Sequence, residues 1–84
     1  LDMDLGDFFL DPDAAEIAVG GTIALNNVGG VGHDLVIEGA KSELVDPGAT
    51  GELVVDGVEP GEYTMYCSVP GHREAGMEGT VTVK

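Results

Sequence analysis

Three side chains that can bind a metal follow one another at equal intervals near the end of the chain. Cys67, His72 and Met77 are each separated from the next by four residues. The only other histidine, His33, follows the glycine-rich stretch 29–32, and Cys67 is the only cysteine. A loop held at both ends by strands can bring a thiol, an imidazole and a thioether around one point. The pattern therefore predicts a metal site that uses both histidines and the single cysteine.

This set of donors suits a metal that changes its oxidation state. Two imidazoles, one thiolate and a weak axial methionine are the ligands of a blue copper electron-transfer site. Sulfur ligands favour Cu(I), imidazole suits Cu(II), and an intermediate geometry accepts both oxidation states with little rearrangement. Four protein ligands leave no obvious open position for a substrate, whereas catalytic metal sites keep one. We therefore expect one copper ion and electron transfer rather than enzymatic catalysis.

The segments that must position these residues have the pattern of short β-strands separated by turns. Apolar and polar residues alternate in windows such as Thr22–Val28, which is typical of half-buried strands, and only the loop after Pro70 could hold a helical turn. The predicted strands are an edge strand before Asp11, then Glu16–Val19, Thr22–Val28, Asp34–Glu38, Glu43–Val45, Gly51–Val55, Glu62–Cys67 and Thr80–Val83, with a turn at Gly39–Ser42. This order predicts an all-β fold, a Greek-key β-sandwich or barrel of about seven or eight strands.

Length and charge limit the size of the fold and its partners. The 84 residues are enough for one domain, so we expect residues 1–84 to form a single copper-binding unit. The net charge is −13, from 3 basic and 16 acidic residues, which disfavours binding to nucleic acid or to an anionic membrane. The acids either attract a cationic partner or keep the chain soluble, for example at high salt. No apolar run approaches the roughly 20 residues of a membrane span.

The chain resembles the cupredoxins, the family of plastocyanin- and azurin-like blue copper proteins. The likeness is carried by Tyr63–Val81 and extends upstream through Asn26–Val28 and Gly32–Asp34, so that it covers nearly the whole chain. The four-residue gap between Cys67 and His72 is similar to that of auracyanin-type domains and longer than that of plastocyanin itself. The resemblance implies a cupredoxin-like Greek-key sandwich.

By this resemblance, four residues would hold one copper ion. His33 and His72 would bind it through ring nitrogens, Cys67 as thiolate, and Met77 as the axial sulfur ligand. His72, the more exposed imidazole, would be the point where electrons enter and leave. The resemblance also implies a monomeric protein outside the cytoplasm, in the periplasm or on the outer face of the cell membrane. Its partners would be redox proteins, such as a cationic cytochrome or a copper enzyme.

Two further residues are singled out by the same likeness. Many cupredoxins have asparagine after the first histidine, where this chain has Asp34. The amide of that asparagine ties the two ligand loops together, whereas a carboxylate accepts hydrogen bonds but cannot donate them, so the tie must be rearranged or lost. A carboxylate close to the thiolate should also favour Cu(II) and lower the reduction potential. Tyr63 either anchors a corner of the sandwich through its hydroxyl or is ordinary core.

The surface around His72 is predicted to be flat and poorly charged, which allows close approach of a partner in a small contact. The loops on that side are dominated by small or apolar residues, namely Gly29, Gly30, Val31, Gly32, Pro70, Gly71, Ala75 and Gly76. Arg73 is the exception, and it either pairs with Glu74 or Glu78 or orients an acidic partner.

Three other interpretations stay open from the sequence. The same ligands would serve an electron-feeding domain excised from a larger copper nitrite reductase or multicopper oxidase. The start at Leu1 fits such an excision and also a processed mature protein. A sandwich could instead act as an interaction module without metal, although such a module would have no need of all four predicted ligand residues. Zinc would accept the same ligands and leave the protein colourless.

Overall fold

The computed structural model describes residues 1–84 and folds them into two β-sheets that pack face to face. The elements are β1 (Asp2–Gly6), β2 (Phe9–Asp11), β3 (Ala14–Ile17), β4 (Thr22–Asn27), β5 (Val36–Ile37), β6 (Ala40–Lys41), β7 (Thr50–Val54), β8 (Gly61–Tyr66), α1 (His72–Ala75) and β9 (Glu78–Val83). One sheet has the strand order β2-β1-β4-β7, and the other has the order β3-β9-β8-β5-β6.

The hydrophobic core lies between the sheets because apolar residues alternate along the strands. In β4, Ile23 and Leu25 are fully buried while Thr22 is exposed. Successive side chains of a strand point to opposite faces, so each strand presents one apolar face to the other sheet. Burial of each such aliphatic side chain contributes about 1.5–3 kcal/mol. The same continuous core includes Cys67 and Met77, so the predicted site is attached to the hydrophobic core.

The N-terminal segment contributes to both sheets. Strand β1 pairs parallel with β4 and antiparallel with β2, whereas β3 joins the other sheet and pairs parallel with β9. The turn between β1 and β2 consists of Asp7 and Phe8, and Asp7 contacts His33. The turn therefore lies at the end of the sandwich that carries the predicted metal ligands.

The predicted all-β sandwich is confirmed, with nine short strands, and the helical turn after Pro70 is α1. The strand predicted at Glu16–Val19 lies instead at Ala14–Ile17. The chain leaves the sheet after Ile17, because the backbone turns at Gly20, whose φ of 79° is accessible mainly to glycine.

Two predictions on the segment after His33 are wrong. The turn predicted at Gly39–Ser42 is tighter, since Gly39 with φ of 89° allows β5 and β6 to form a hairpin over residues 38–39. Glu43–Val45 is not a strand, and only Val45 pairs, in an isolated bridge to His33.

Tyr63 anchors the corner that precedes β8. Its hydroxyl donates a hydrogen bond of 2.7 Å to the carbonyl oxygen of Glu59, while its ring packs against the core. The hydrogen bond confirms the anchoring role over purely apolar packing.

The one helix, α1, has only four residues, and no helix has the length and apolar character needed to cross a membrane.

Candidate metal centre

His33 is positioned by a loop that is fixed at two points. Its N–H donates to the carbonyl of Val45 at 3.1 Å, and the N–H of Val45 donates back to the carbonyl of His33 at 2.8 Å. The buried Asn27 amide donates to the carbonyls of Val31 and Val45, both at 2.8 Å. Its oxygen accepts from the N–H of Gly29 at 2.9 Å. These bonds hold the loop before His33 in one shape, and the His33 side chain is fully buried.

Cys67, His72 and Met77 lie on the loop between β8 and β9, which contains α1. The N–H of Cys67 donates to the carbonyl of Met77 at 3.1 Å, and the N–H of Met77 donates to the carbonyl of His72 at 3.1 Å. Gly71, whose φ is 83°, provides the left-handed residue that starts the turn into α1. The loop is therefore closed on itself, and its three donor residues are held side by side.

Two ring nitrogens and the cysteine sulfur surround a common point. The Nδ1 atoms of His33 and His72 are 3.1 Å apart, and Sγ of Cys67 is 3.9 Å from the first and 3.6 Å from the second. The point equidistant from these three atoms is about 2.1 Å from each, close to the usual metal–nitrogen length and slightly below the usual metal–sulfur length of about 2.3 Å. This spacing and the chemistry of the donors fit one metal ion.

Met77, the fourth ligand predicted from the sequence, lies next to Cys67 and His72 along the same loop. It is fully buried and belongs to the same core as Cys67. Its backbone bonds to Cys67 and His72 place it directly beside the three donors. The structure thus brings together the donor atoms of His33, Cys67 and His72 from two distant parts of the chain. The thioether of Met77 as a fourth ligand stays a prediction.

The thiol of Cys67 is 1 % exposed, which affects its protonation. Burial raises the pKa of Cys67, and the backbone N–H of Asp34, 3.5 Å from Sγ, opposes part of this rise. A metal binds the thiolate, so loading the site must displace the thiol proton.

Asp34 ties the two ligand loops together, as the resemblance implied for this position. Its Oδ1 accepts from the N–H of Ser68 at 2.7 Å, and its Oδ2 accepts from the Ser68 hydroxyl at 2.5 Å. The tie is therefore rearranged rather than lost, because the serine supplies both hydrogens. The carboxylate is buried within the site and adds a negative charge next to the cysteine.

Two residues of the site were missed in the sequence, and both lie in the turn between β1 and β2. Asp7 Oδ1 is 2.8 Å from Nε2 of His33, and the hydrogen bond to His33 is the main cause of a lowered pKa of Asp7. The Phe8 ring meets the His72 ring edge-on, with 5.6 Å between centroids. In the sequence, Asp7 and Phe8 belong to a segment of mixed acidic and apolar residues that does not single them out. The contacts depend on how β1 pairs with β4, and this pairing cannot be predicted from the spacing of residues in the sequence.

The surface near His72 includes the apolar ring of Phe8, and its predicted flatness and low charge stay a prediction. His72 is half-buried, and the Phe8 ring against it is 51 % exposed. Val31 and Leu44, which are 46 % and 60 % exposed, belong to the segments next to His33. Arg73 pairs with Glu78 and lies over the Tyr66 ring, 4.2 Å from its centroid.

The comparison with known proteins shows the family. Residues 1–84 match the model of the copper binding proteins of the plastocyanin/azurin family. Plastocyanin from Dryopteris crassirhizoma is 31% identical over 97 aligned positions, covering 96% of this chain and 93% of that protein. The chain therefore belongs to the copper-binding plastocyanin/azurin family. Copper is its cofactor, as the donor set predicted.

Solved structures show the same fold. Dithionite-reduced auracyanin from the photosynthetic bacterium Roseiflexus castenholzii has a TM-score of 0.84 at 19% identity, over 99% of this chain and 94% of that one. Oxidised plastocyanin from Dryopteris crassirhizoma has a TM-score of 0.78 at 25% identity, over 100% of both chains. These similarities confirm the cupredoxin-like sandwich.

Proposed function

We propose that this chain is a type 1 (blue) copper electron-transfer protein in which His33, Cys67, His72 and Met77 hold one copper ion. The triangle of two Nδ1 atoms and one Sγ carries the proposal, since one point is within bonding distance of all three. When bound, copper supplies a centre that gains and loses a single electron. Met77 is assigned the weak axial position.

The residues around the four assigned ligands would keep the geometry of the ligands fixed when bound copper changes its oxidation state. The His33 loop is held by Val45 and Asn27, and Cys67 lies in the core. Ligands that cannot move far keep an arrangement between the preferences of the two oxidation states. The Asp34 tie holds the two loops at one separation. These contacts support rapid electron exchange with little rearrangement.

His72 is the residue through which we infer that electrons enter and leave. It is the less buried of the two imidazoles, and the exposed apolar ring of Phe8 lies against it. An apolar surface is readily desolvated, so a partner could bring its own cofactor close in a short-lived contact of small area.

We infer that the protein acts as a carrier rather than an enzyme, because the four assigned ligands leave no position for a substrate. Residues 1–84 would form one copper-binding unit that is monomeric and works outside the cytoplasm. The charge of −13 favours redox partners with a cationic surface, such as a cytochrome or a copper enzyme.

A visible absorption spectrum tests the proposal directly. Addition of Cu(II) to the metal-free protein should give an intense blue or green band, because a copper–thiolate bond forms. Cys67→Ser should abolish the band, and zinc added to the wild type should give a colourless protein. A wild type that binds copper with only a faint band would contradict the proposal.

A further inference from the structure

The two nitrogens of His33 have different surroundings. Nδ1 faces His72 and Cys67, at 3.1 Å from the His72 nitrogen and 3.9 Å from the sulfur. Nε2 lies 2.8 Å from the carboxylate of Asp7. A nitrogen that binds a metal must offer its lone pair, so the ring proton has to be on the other nitrogen. A carboxylate only accepts, so Asp7 stabilises the tautomer that carries the proton on Nε2 and leaves Nδ1 free.

Asp7 is held in place by the loop that precedes His33. The N–H of Gly30 points at both of its carboxylate oxygens, at 3.0 Å each. A Cβ on Gly29 would come within 2.3 Å of Asp7 Oδ1 and 2.8 Å of His33 Nε2, so a side chain at that position would enter the contact itself. Although the Asp7 side chain is 43% exposed, its oxygen bonds to a ring that is fully buried. Two separate segments are therefore shaped around this one hydrogen bond.

We propose that Asp7 is a positioning residue that fixes the tautomer of His33 and lowers the reduction potential of the site. This inference rests on the proposed function. A carboxylate partner makes the imidazole a stronger donor to the metal, and its negative charge favours the higher oxidation state. An electron gained by bound copper would come from a redox partner, and the role proposed for Asp7 needs only the hydrogen bond at Nε2 and the negative charge, with no proton transferred. Among the acidic residues, Asp7 is the one whose carboxylate forms a hydrogen bond with an imidazole of the site.

Three variants separate the charge of Asp7 from its hydrogen bond. Asp7→Asn keeps an oxygen acceptor and removes the charge, whereas Asp7→Leu removes both. Asp11→Asn is the matched control, because Asp11 is an exposed acid on the same hairpin without a side-chain bond to the site. Reduction potentials of the copper-loaded proteins are measured by redox titration.

Both Asp7 variants should shift the preference from Cu(II) toward Cu(I) by about tenfold, equivalent to a rise of about 59 mV for one electron. Asp11→Asn should move the potential far less. Potentials of both Asp7 variants equal to that of Asp11→Asn would overturn the claim on the potential. If Asp7→Leu does not fold, the comparison of Asp7→Asn with Asp11→Asn decides it.

The tautomer is tested without copper, by nitrogen-15 NMR of the histidine rings in the metal-free protein. The wild type should carry the His33 proton on Nε2, and Asp7→Leu should give a mixture of tautomers. An unchanged tautomer in Asp7→Leu would overturn the positioning role. A wild type without a blue band would refute the proposed function instead, so the two failures are distinguishable.

Discussion

Asp34 binds Ser68 through both of its carboxylate oxygens, at 2.7 Å to the backbone nitrogen and 2.5 Å to the hydroxyl. Asp34 follows His33 and Ser68 follows Cys67, so this pair joins the two segments that carry the ligands. An asparagine could make the same pair by accepting from the N–H and donating to the hydroxyl. The serine hydroxyl, which both donates and accepts, thus lets a carboxylate replace an amide without loss of geometry.

Asp34→Asn should therefore raise the reduction potential while the absorption band is retained. The variant keeps the tie and removes a buried negative charge that favours Cu(II). The expected rise is about 30–60 mV, a three- to tenfold change in the preference between oxidation states. Redox titration measures it, with Asp46→Asn in an exposed turn as the control. A potential that stays at the wild-type value would refute the electrostatic role of Asp34.

Met77→Leu tests the assignment of the axial ligand. Loss of the thioether removes one donor and makes the site more hydrophobic, which disfavours the more highly charged Cu(II) relative to Cu(I), so the potential should rise by about 60 mV or more. The intense band should persist, because the cysteine bond remains. Met65→Leu is the matched control, since Met65 is equally buried but lies within β8. Equal shifts in the two variants would show that general packing, and not ligation, sets the effect.

The sequence could point to the three donors that the structure brings together, and to Met77 as a candidate fourth, because their chemistry is rare and their spacing is local. Cys67, His72 and Met77 share one loop, and His33 was the only histidine left. The β-sandwich could be predicted because apolar and polar residues alternate along the strands, and this pattern is local in the sequence. Asp7 could not be found in this way, because its contact spans 26 residues and depends on the register between two strands. Among 16 acids, sequence alone gives no reason to prefer that one.

Phe8→Ala should make His72 more accessible to small electron donors. The Phe8 ring meets the imidazole edge-on, and His72 is half-buried. Reduction by a small hydrophilic complex such as hexaammineruthenium(II) should become several-fold faster, because the complex can approach the imidazole more closely. Phe9→Ala is the control, since Phe9 is similarly exposed on the same hairpin and packs over Gly6 instead. Stopped-flow rates that rise equally in both variants would argue against His72 as the entry point.

Ionic strength should affect electron transfer according to the charge of the partner. With a cationic c-type cytochrome, the net charge of −13 should accelerate encounter at low salt, and the rate should fall about tenfold or more as salt screens the attraction. A neutral redox probe gives the control and should show little change. If the rate with the cytochrome is indifferent to salt, the acidic residues serve solubility and not partner attraction.

The metal-free protein should lose stability in alkaline solution because of Cys67. Burial raises the pKa of this thiol above its unfolded value of about 8.5, so the folded chain holds the proton more tightly. The resulting stability is complete below the unfolded pKa and is lost as the pH rises through the folded pKa. Urea unfolding at pH values from about 7 to 10, on either side of the unfolded thiol pKa, should show a decline in the wild type that Cys67→Ala lacks. Parallel curves for the two proteins would mean that the thiol is as well solvated in the folded state as in the unfolded chain.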